Sequence, residues 1–180
     1  MELRNKQRIA LSAYFFLSGI CFASWASRIP TIKDFFGFND AQLGTILLAM
    51  PISSLIGLPF SGWLVSKFDS RIPLIASFIA FSFALIFIGY ANTPFLFVLS
   101  ICVFSFFMRI LNIAINTQSL TLQKKFDKSI VGSFHGLWST GGLFGVAFST
   151  IMIKFNVTMQ IHLVIISIVT LIVSIYTYQF

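Results

Sequence analysis

The sequence predicts an all-α polytopic membrane protein whose six transmembrane helices form a three-plus-three inverted repeat. Of the 180 residues, 57% are hydrophobic and only 9% are charged, whereas soluble domains carry about 25% charged residues. The apolar residues form six long runs, each close to the roughly 20 residues that cross a bilayer as a helix. Transmembrane strands would need about 9–11 residues of alternating polarity, and these runs are longer and continuously apolar.

The bounds of the six predicted helices follow from run length and from the residues that interrupt each run. The first helix ends before Pro30, a polar loop follows as far as Asp40, and Pro51 and Pro59 predict kinks in the second helix. Residues 1–180 are therefore expected to form one membrane domain, with three-helix repeats at 9–91 and 95–178. The predicted helices are 9–29, 41–65, 72–91, 95–122, 133–153 and 160–178.

Basic residues predict the orientation of the chain. With the N-terminus inside, eight basic residues fall in inner segments and three in outer segments, which is the positive-inside pattern. We therefore expect a multi-pass protein of the inner (plasma) membrane with both termini cytoplasmic. Spread among loops in this way, the charges do not make the single basic face of a nucleic-acid binder. The inner set is Arg4, Lys6, Arg8, Lys67, Arg71, Lys124, Lys125 and Lys128, and the outer set is Arg28, Lys33 and Lys154.

Helix four carries a polar stripe around Arg109. Arg109 falls near the bilayer midplane, where a charge costs at least about 2.5–3.5 kcal/mol. At about 100° per residue, Ser105, Arg109, Asn112 and Asn116 lie within an arc of about 60° on one helix face. The stripe predicts the wall of a path for a small polar solute. The alternative is a structural network that ties helices together.

Two further helices carry isolated polar or aromatic residues. Trp25 and Arg28 approach the outer interface in helix one, where anchoring and ligand contact are both open interpretations. His135 begins helix five at a depth that would let it approach Asn116, and histidine titrates near neutral pH. A hydrogen-bonding role at a helix interface is its alternative. His162 has no polar neighbours in the sequence and is interpreted as interfacial.

Elsewhere the sequence carries one pattern for helix packing and no motif for a disulfide, a metal site or an enzyme. Gly141 and Gly145 are spaced to allow close approach of another helix. Cys21 and Cys102 stand alone in apolar runs, so neither a disulfide nor a metal site is expected. No nucleophile elbow, paired His-Glu-x-x-His or phosphate loop occurs. We therefore expect no enzyme activity, catalytic residue, metal or cofactor. No predicted helix contains a carboxylate, because all five acidic residues fall outside them: Glu2, Asp34, Asp40, Asp69 and Asp127.

The turn between helices two and three resembles a signature of major facilitator superfamily transporters. That signature reads Gly-x-x-x-Asp-Arg-x-Gly-x-x followed by a basic residue. Gly62, Lys67 and Arg71 fit it loosely, while Ser66 replaces the usual Asp and Asp69 replaces the usual Gly. The resemblance implies a gating loop formed by Gly62, Lys67, Asp69 and Arg71.

Two helix segments are similar to those of fucose-permease-like sugar transporters and their relatives. Residues 111–117, Leu-Asn-Ile-Ala-Ile-Asn-Thr, are similar to that group's Leu-Glu/Gln-x-Ala-x-Asn-Pro, and residues 133–142 to its segment where Gln or His precedes small residues. Asn112 stands where proton-coupled members carry Glu, so proton symport is not expected from this half unless His135 substitutes. The resemblance implies a substrate cavity lined by Asn112, Asn116 and His135, beside Arg109, with Trp25 and Trp138 as stacking surfaces.

The resemblance covers nearly the whole chain and implies half of a twelve-helix transporter fold. Alternating access rocks one half against the other around a shared site at the midplane. The sequence therefore predicts transport of a small polar solute, with a sugar as one candidate. The second six-helix half would come from downstream sequence or from self-association. The alternative is a non-transporting membrane subunit or a truncated, inactive fragment.

Overall fold

The computed structural model describes residues 3–177, and helices account for nearly all of them. Within this range there is no strand, and six helical segments are long and apolar enough to cross a membrane. The all-α, six-span prediction is therefore confirmed, although Tyr178, the predicted last residue of helix six, lies outside the described range. The helices are α1 Leu3–Ala26, α2 Ile29–Phe36, α3 Asp40–Leu47, α4 Ala49–Lys67, α5 Arg71–Tyr90, α6 Pro94–Gln123, α7 Val131–Lys154 and α8 Met159–Thr177.

The predicted polar loop from residue 31 to residue 40 was wrong, because most of it is helical. Pro30 lies in the first turn of α2, where its missing N–H removes no hydrogen bond. Gly37 ends α2 with a left-handed φ of 67°, and Asn39 begins α3 by accepting a hydrogen bond from the Gln42 backbone N–H. Consequently Asp34 lies in α2, and a carboxylate does occur in a helix.

A second correction concerns helix two, which is interrupted at Leu48 between α3 and α4. Pro51 has no N–H, so the carbonyl of Leu47 loses the donor that a continuous helix would supply. Asp40 is the first residue of α3 and a second helical carboxylate, at the helix end far from the midplane. The interruption at Leu48 thus lies where Pro51 predicts a kink. At Pro59 the helix α4 continues without interruption.

The helices pack in the pattern expected of an inverted repeat. The most extensive contact, α1 on α7, exchanges with that of α6 on α4 when the first three spans are swapped with the last three. The same swap relates the α5–α6 and α1–α8 contacts, and α5 packs on α8. The fold class is therefore confirmed, while the repeat bounds 9–91 and 95–178 stay a prediction.

Glycines bring α1 and α7 into backbone contact. A Cβ on Gly19 would lie 2.1 Å from the carbonyl oxygen of Trp138, and one on Gly141 would lie 2.0 Å from that of Phe16. A Cβ on Gly145 would meet another α1 carbonyl at 2.8 Å. The close approach predicted for Gly141 and Gly145 is confirmed, and α1 is the partner.

One side of the bundle is left open. The helices α1 and α6 touch each other, with α7 packed on α1, α4 packed on α6, and α5 and α8 covering the other side. In each of the two spans that contain α4 and α7, only 17% of the most apolar stretch is buried. The corresponding share in the other four spans is 39–61%. We call the side flanked by α4 and α7 the open face.

The two ends of the bundle differ in charge. We call one of them the basic end: α1, α5 and α7 begin there, and α4, α6 and α8 end there. Eight basic side chains and two acidic ones, Asp69 and Asp127, lie at this end among the described residues. The eight are Arg4, Lys6, Arg8, Lys67, Arg71, Lys124, Lys125 and Lys128.

Candidate functional site

The polar stripe of α6 is divided between two tasks. Ser105 is buried and its hydroxyl donates to the carbonyl oxygen of Met50 on α4 at 2.7 Å. The Nε of Arg109 donates to the hydroxyl of Ser54, also on α4, at 2.8 Å. Bonds of this kind hold helices together in a bilayer, where water does not compete for them. A structural network between helices therefore accounts for the hydroxyl of Ser105 and for one of the donors of Arg109.

Arg109 keeps most of its hydrogen-bonding capacity. A guanidinium has five N–H donors, and Ser54 is the acceptor for one of them. Over residues 3–177 no other acceptor and no carboxylate pairs with it. The side chain is half-buried, and its Cβ would be 3.3 Å from a Cβ placed on Gly57. Arg109 is thus a cation held against α4 with donors left for a solute or water.

Asn112 lies on the side of α6 between the faces that pack on α1 and on α4. By helical geometry, Asn112 lies about 80° from Phe104 and about 60° from Arg109 on α6. Phe104 packs on α1 through Trp25 and Arg109 bonds α4, so Asn112 falls between those two helices. The Nδ2 of Asn116 donates to the backbone oxygen of Asn112 at 2.7 Å. In the described part of the chain, the side-chain amide of Asn112 has no hydrogen-bond partner, so it is available to a ligand.

On α7, His135 and Trp138 are exposed and pack against α1. The ring of His135 lies 5.5 Å from that of Phe15, and the ring of Trp138 lies 6.4 Å from that of Phe22. Among residues 3–177 no hydrogen bond or ring contact joins His135 to Asn116, and α7 packs on α1 with little contact to α6. Both side chains still border the open face.

Trp25 lies inside the bundle. Its side chain is 2% exposed and meets Phe104 edge to face, with 5.8 Å between ring centroids. Its Nε1 is buried without a hydrogen-bond acceptor among residues 3–177. An anchor in the membrane interface would be exposed, so the anchoring interpretation of Trp25 was wrong.

Comparison with known sequences identifies the family. The profile of the Major Facilitator Superfamily matches residues 10–179. The chain belongs to the major facilitator superfamily. It is 32% identical over 139 residues to an uncharacterized MFS-type transporter of Yersinia pestis, covering 77% of this chain and 36% of that protein.

Two other relatives are similar over comparable stretches of this major facilitator chain. Membrane protein MosC of Rhizobium meliloti is 34% identical over 137 residues, covering 76% of this chain and 34% of MosC. The probable nitrate transporter NarT of Staphylococcus aureus is 28% identical over 167 residues, covering 86% of this chain and 41% of NarT. The chain spans less than half the length of these relatives.

The turn between α4 and α5, where the family signature was recognised, is bonded to the end of α6. The carboxylate of Asp69 accepts hydrogen bonds from the backbone N–H of Arg71 at 3.1 Å and from Nε2 of Gln118 at 3.3 Å. The same Nε2 donates to the hydroxyl of Ser70 at 2.9 Å. Gln118 was missed from the sequence, because nothing local marks it as the partner of a turn 48 residues away.

The other two residues assigned to the gating loop lie on the exposed end of α4. The ammonium of Lys67 sits over the Trp63 ring at 4.9 Å and over the Phe68 ring at 5.7 Å. A Cβ on Gly62 would meet nothing within 4 Å. Lys67 and Gly62 therefore make no contact with the Asp69–Gln118 network in the described residues.

A buried basic pair at the opposite end of the bundle was missed from the sequence. Arg28 is 3% exposed, and its Nε donates to Nδ1 of His162 at 3.1 Å. An Nη of Arg28 also donates to the carbonyl oxygen of Val157 at 2.8 Å. His162 is fully buried, with Nε2 3.5 Å from the hydroxyl of Ser149. The interfacial interpretation of His162 was wrong, because its side chain is buried and bonded to Arg28 from the turn between α1 and α2.

Proposed function

We propose that this major facilitator chain forms one wall of a path for a small polar solute, which crosses the membrane by alternating access. The observation that carries the proposal is Arg109, a half-buried cation in a membrane span with N–H donors that no described residue uses. An ionisable residue inside a membrane is expensive and is normally functional. Asn112 and the exposed residues of α7 would complete the wall on the open face.

The charge of Arg109 favours a solute that carries a negative charge. The helices α1 and α4–α8 contain no carboxylate, so no protein anion near the midplane balances this cation. A bound anion would compensate the charge in a medium of low dielectric constant. The name of the relative NarT concerns nitrate, a small anion, which agrees with this class of substrate.

A neutral sugar is the second candidate. It rests on the similarity of residues 111–117 and 133–142 to fucose-permease-like transporters, which would make that group the nearest relatives. Asn112 and Asn116 would then bond sugar hydroxyls, and Trp138, which is 40% exposed, would offer a surface for the sugar ring.

A second six-helix half would cover the open face. This chain spans 36% and 34% of the Yersinia pestis and Rhizobium meliloti relatives, and alternating access needs two halves around one site. The second half would come from downstream sequence or from a second copy of the chain. We place the basic end on the cytoplasmic side of the inner membrane by the positive-inside rule. The competing interpretation, a non-transporting subunit, would need no solute site.

Binding by the purified chain tests this proposal. Thermal unfolding in detergent is measured with nitrate and other small anions, and separately with hexoses. A solute at about 100 times its Kd stabilises the folded state by about 2.7 kcal/mol. We expect this stabilisation from at least one anion for wild type and for Ser54→Ala, which keeps the cation, but not for Arg109→Gln.

Two results would count against an anionic solute. Equal stabilisation of wild type and Arg109→Gln by an anion would show that Arg109 does not bind it. Stabilisation by a hexose alone, lost in Asn112→Leu, would favour the sugar instead. If no solute stabilises the chain, and none stabilises it with its second half, the subunit interpretation stands.

A further inference from the structure

A cavity of about 350 Å³ opens at the basic end, away from the solute path. It lies between α1, α5, α6 and the last turn of α8, and none of the six residues assigned to the solute site lines it. The helix α1 contributes Gln7, Leu11 and Tyr14, whose i, i+4 and i+7 spacing places them on one helix face. Gln118 and Leu122 of α6 line the cavity as well, and Lys125 comes from the turn that follows α6.

The cavity has a cationic mouth. The ammonium of Lys125 bonds the amide oxygen of Gln7 at 3.0 Å, so its partner among the described residues is neutral. Arg71 joins it from the first turn of α5. Asp69 is the acidic residue of the lining, and its Oδ1 already accepts from Gln118 and from the Arg71 backbone. Lys125 and Arg71 are thus the basic residues of the described lining, and Asp69 is its acidic one.

Three leucines of the cavity lining are buried aliphatic side chains. They are Leu11, Leu74 and Leu122, and the hydroxyls of Thr177 and Tyr14 are bonded to each other at 2.8 Å. The cavity therefore offers cationic groups at the mouth and a hydrocarbon surface beneath them. An amphiphile with an anionic head has the matching distribution of charge.

We infer that this cavity binds the phosphate group of an anionic phospholipid, with Lys125 and Arg71 at the phosphate and the start of an acyl chain against the leucines. Basic pockets between transmembrane helices bind anionic headgroups. Among residues 3–177 the surrounding end carries eight basic and two acidic side chains, and such an excess of positive charge raises the local concentration of anionic lipid. Free phosphate shares the headgroup chemistry but would leave the leucine surface uncovered.

Native mass spectrometry of the purified chain in detergent tests the inference. Phosphatidylglycerol, phosphatidylcholine with the same acyl chains, and inorganic phosphate are added separately. We expect a phosphatidylglycerol adduct that phosphatidylcholine does not reproduce. Its affinity should fall about tenfold or more in Arg71→Gln/Lys125→Gln. The matched control Lys124→Gln/Lys128→Gln removes the same charge from the same end, outside the cavity, and should fall by about threefold or less.

A second variant separates the cavity from the overall charge and from folding defects. Thr121→Phe keeps every charge and fills the cavity beside Lys125, so it should also lose the adduct. Competition by inorganic phosphate would mean that a free phosphate group is bound in place of lipid. Equal loss in the control pair and the cavity pair, or full binding by Thr121→Phe, would overturn the inference.

Discussion

The Arg28–His162 pair shows how a bilayer protein accommodates two basic side chains in its interior. Because Arg28 donates from Nε, the Nδ1 of His162 accepts, which leaves its Nε2–H directed at Ser149. The pair therefore needs a neutral imidazole. It joins the turn between α1 and α2 to α8, while Val157 connects Arg28 to the loop before α8.

Replacing His162 should destabilise the chain more than replacing the other histidine. In His162→Leu the buried Arg28 loses an acceptor, and an unsatisfied buried polar group costs about 1–3 kcal/mol. His135→Leu makes the same substitution at an exposed site and should change stability by about 0.5 kcal/mol or less. Thermal unfolding in detergent measures both. Equal losses would mean that the Arg28–His162 bond contributes nothing.

The two tasks of the α6 stripe can be separated by mutation. Ser105→Ala removes a bond to α4 and should cost about 0.6 kcal/mol of stability, the average for side-chain bonds between membrane helices, and at most about 1.7 kcal/mol. Asn112→Leu removes an amide without a described partner and should leave stability within about 0.5 kcal/mol while weakening solute binding. Urea unfolding and ligand-induced stabilisation measure the two effects. If Asn112→Leu lost stability and Ser105→Ala did not, Asn112 would belong to the structural network.

At the scale of elements, the contact between α1 and α7 depends on glycines at particular positions. A Cβ at Gly141 would overlap backbone of α1, whereas one at the adjacent Gly142 would meet nothing within 4 Å. The two residues share the same helix and nearly the same depth, so they form a matched pair.

Gly141→Ala should destabilise the chain while Gly142→Ala should not. Overpacking of a close contact costs about 1–3 kcal/mol, and Gly141 faces backbone that cannot turn aside. At Gly142 the better helix propensity of alanine should give a gain of up to about 1 kcal/mol. Thermal unfolding of both variants decides the matter, and similar stabilities would contradict the close approach.

The sequence predicted the membrane-spanning helices better than it predicted which helices pack against each other. Run length and hydropathy gave six spans, since a bilayer requires long apolar segments. Pro30 was taken as a terminator, but it opens α2, and proline is favourable in a first helical turn. The division of the stripe could not be foreseen, because whether Ser105 faces α4 or the open face depends on which helix packs beside α6.

At the scale of the whole molecule, the two ends of the bundle should lie on opposite sides of the membrane. Ser129 is exposed in the loop after α6 at the basic end, and Asn156 is exposed in the loop between α7 and α8. The native thiol Cys21 is buried and Cys102 is half-buried. Single cysteines at 129 and 156 therefore report the side on which each loop lies.

A membrane-impermeant thiol reagent should label Asn156→Cys in intact cells and Ser129→Cys only after permeabilisation. We expect this result from the positive-inside rule, which predicts the cytoplasmic side for an end with eight basic residues. The unmodified chain gives the background from its native cysteines. Labelling of Ser129→Cys in intact cells would reverse the orientation.

We propose a position for Arg109 on a solute path in one half of a transporter. The most direct test of this claim is uptake by proteoliposomes containing the chain purified with the second half that accompanies it in its own membrane. Wild type and Ser54→Ala should accumulate an anionic solute at least about tenfold above Arg109→Gln, which corresponds to about 1.4 kcal/mol or more. Equal uptake by all three proteins would contradict the claim.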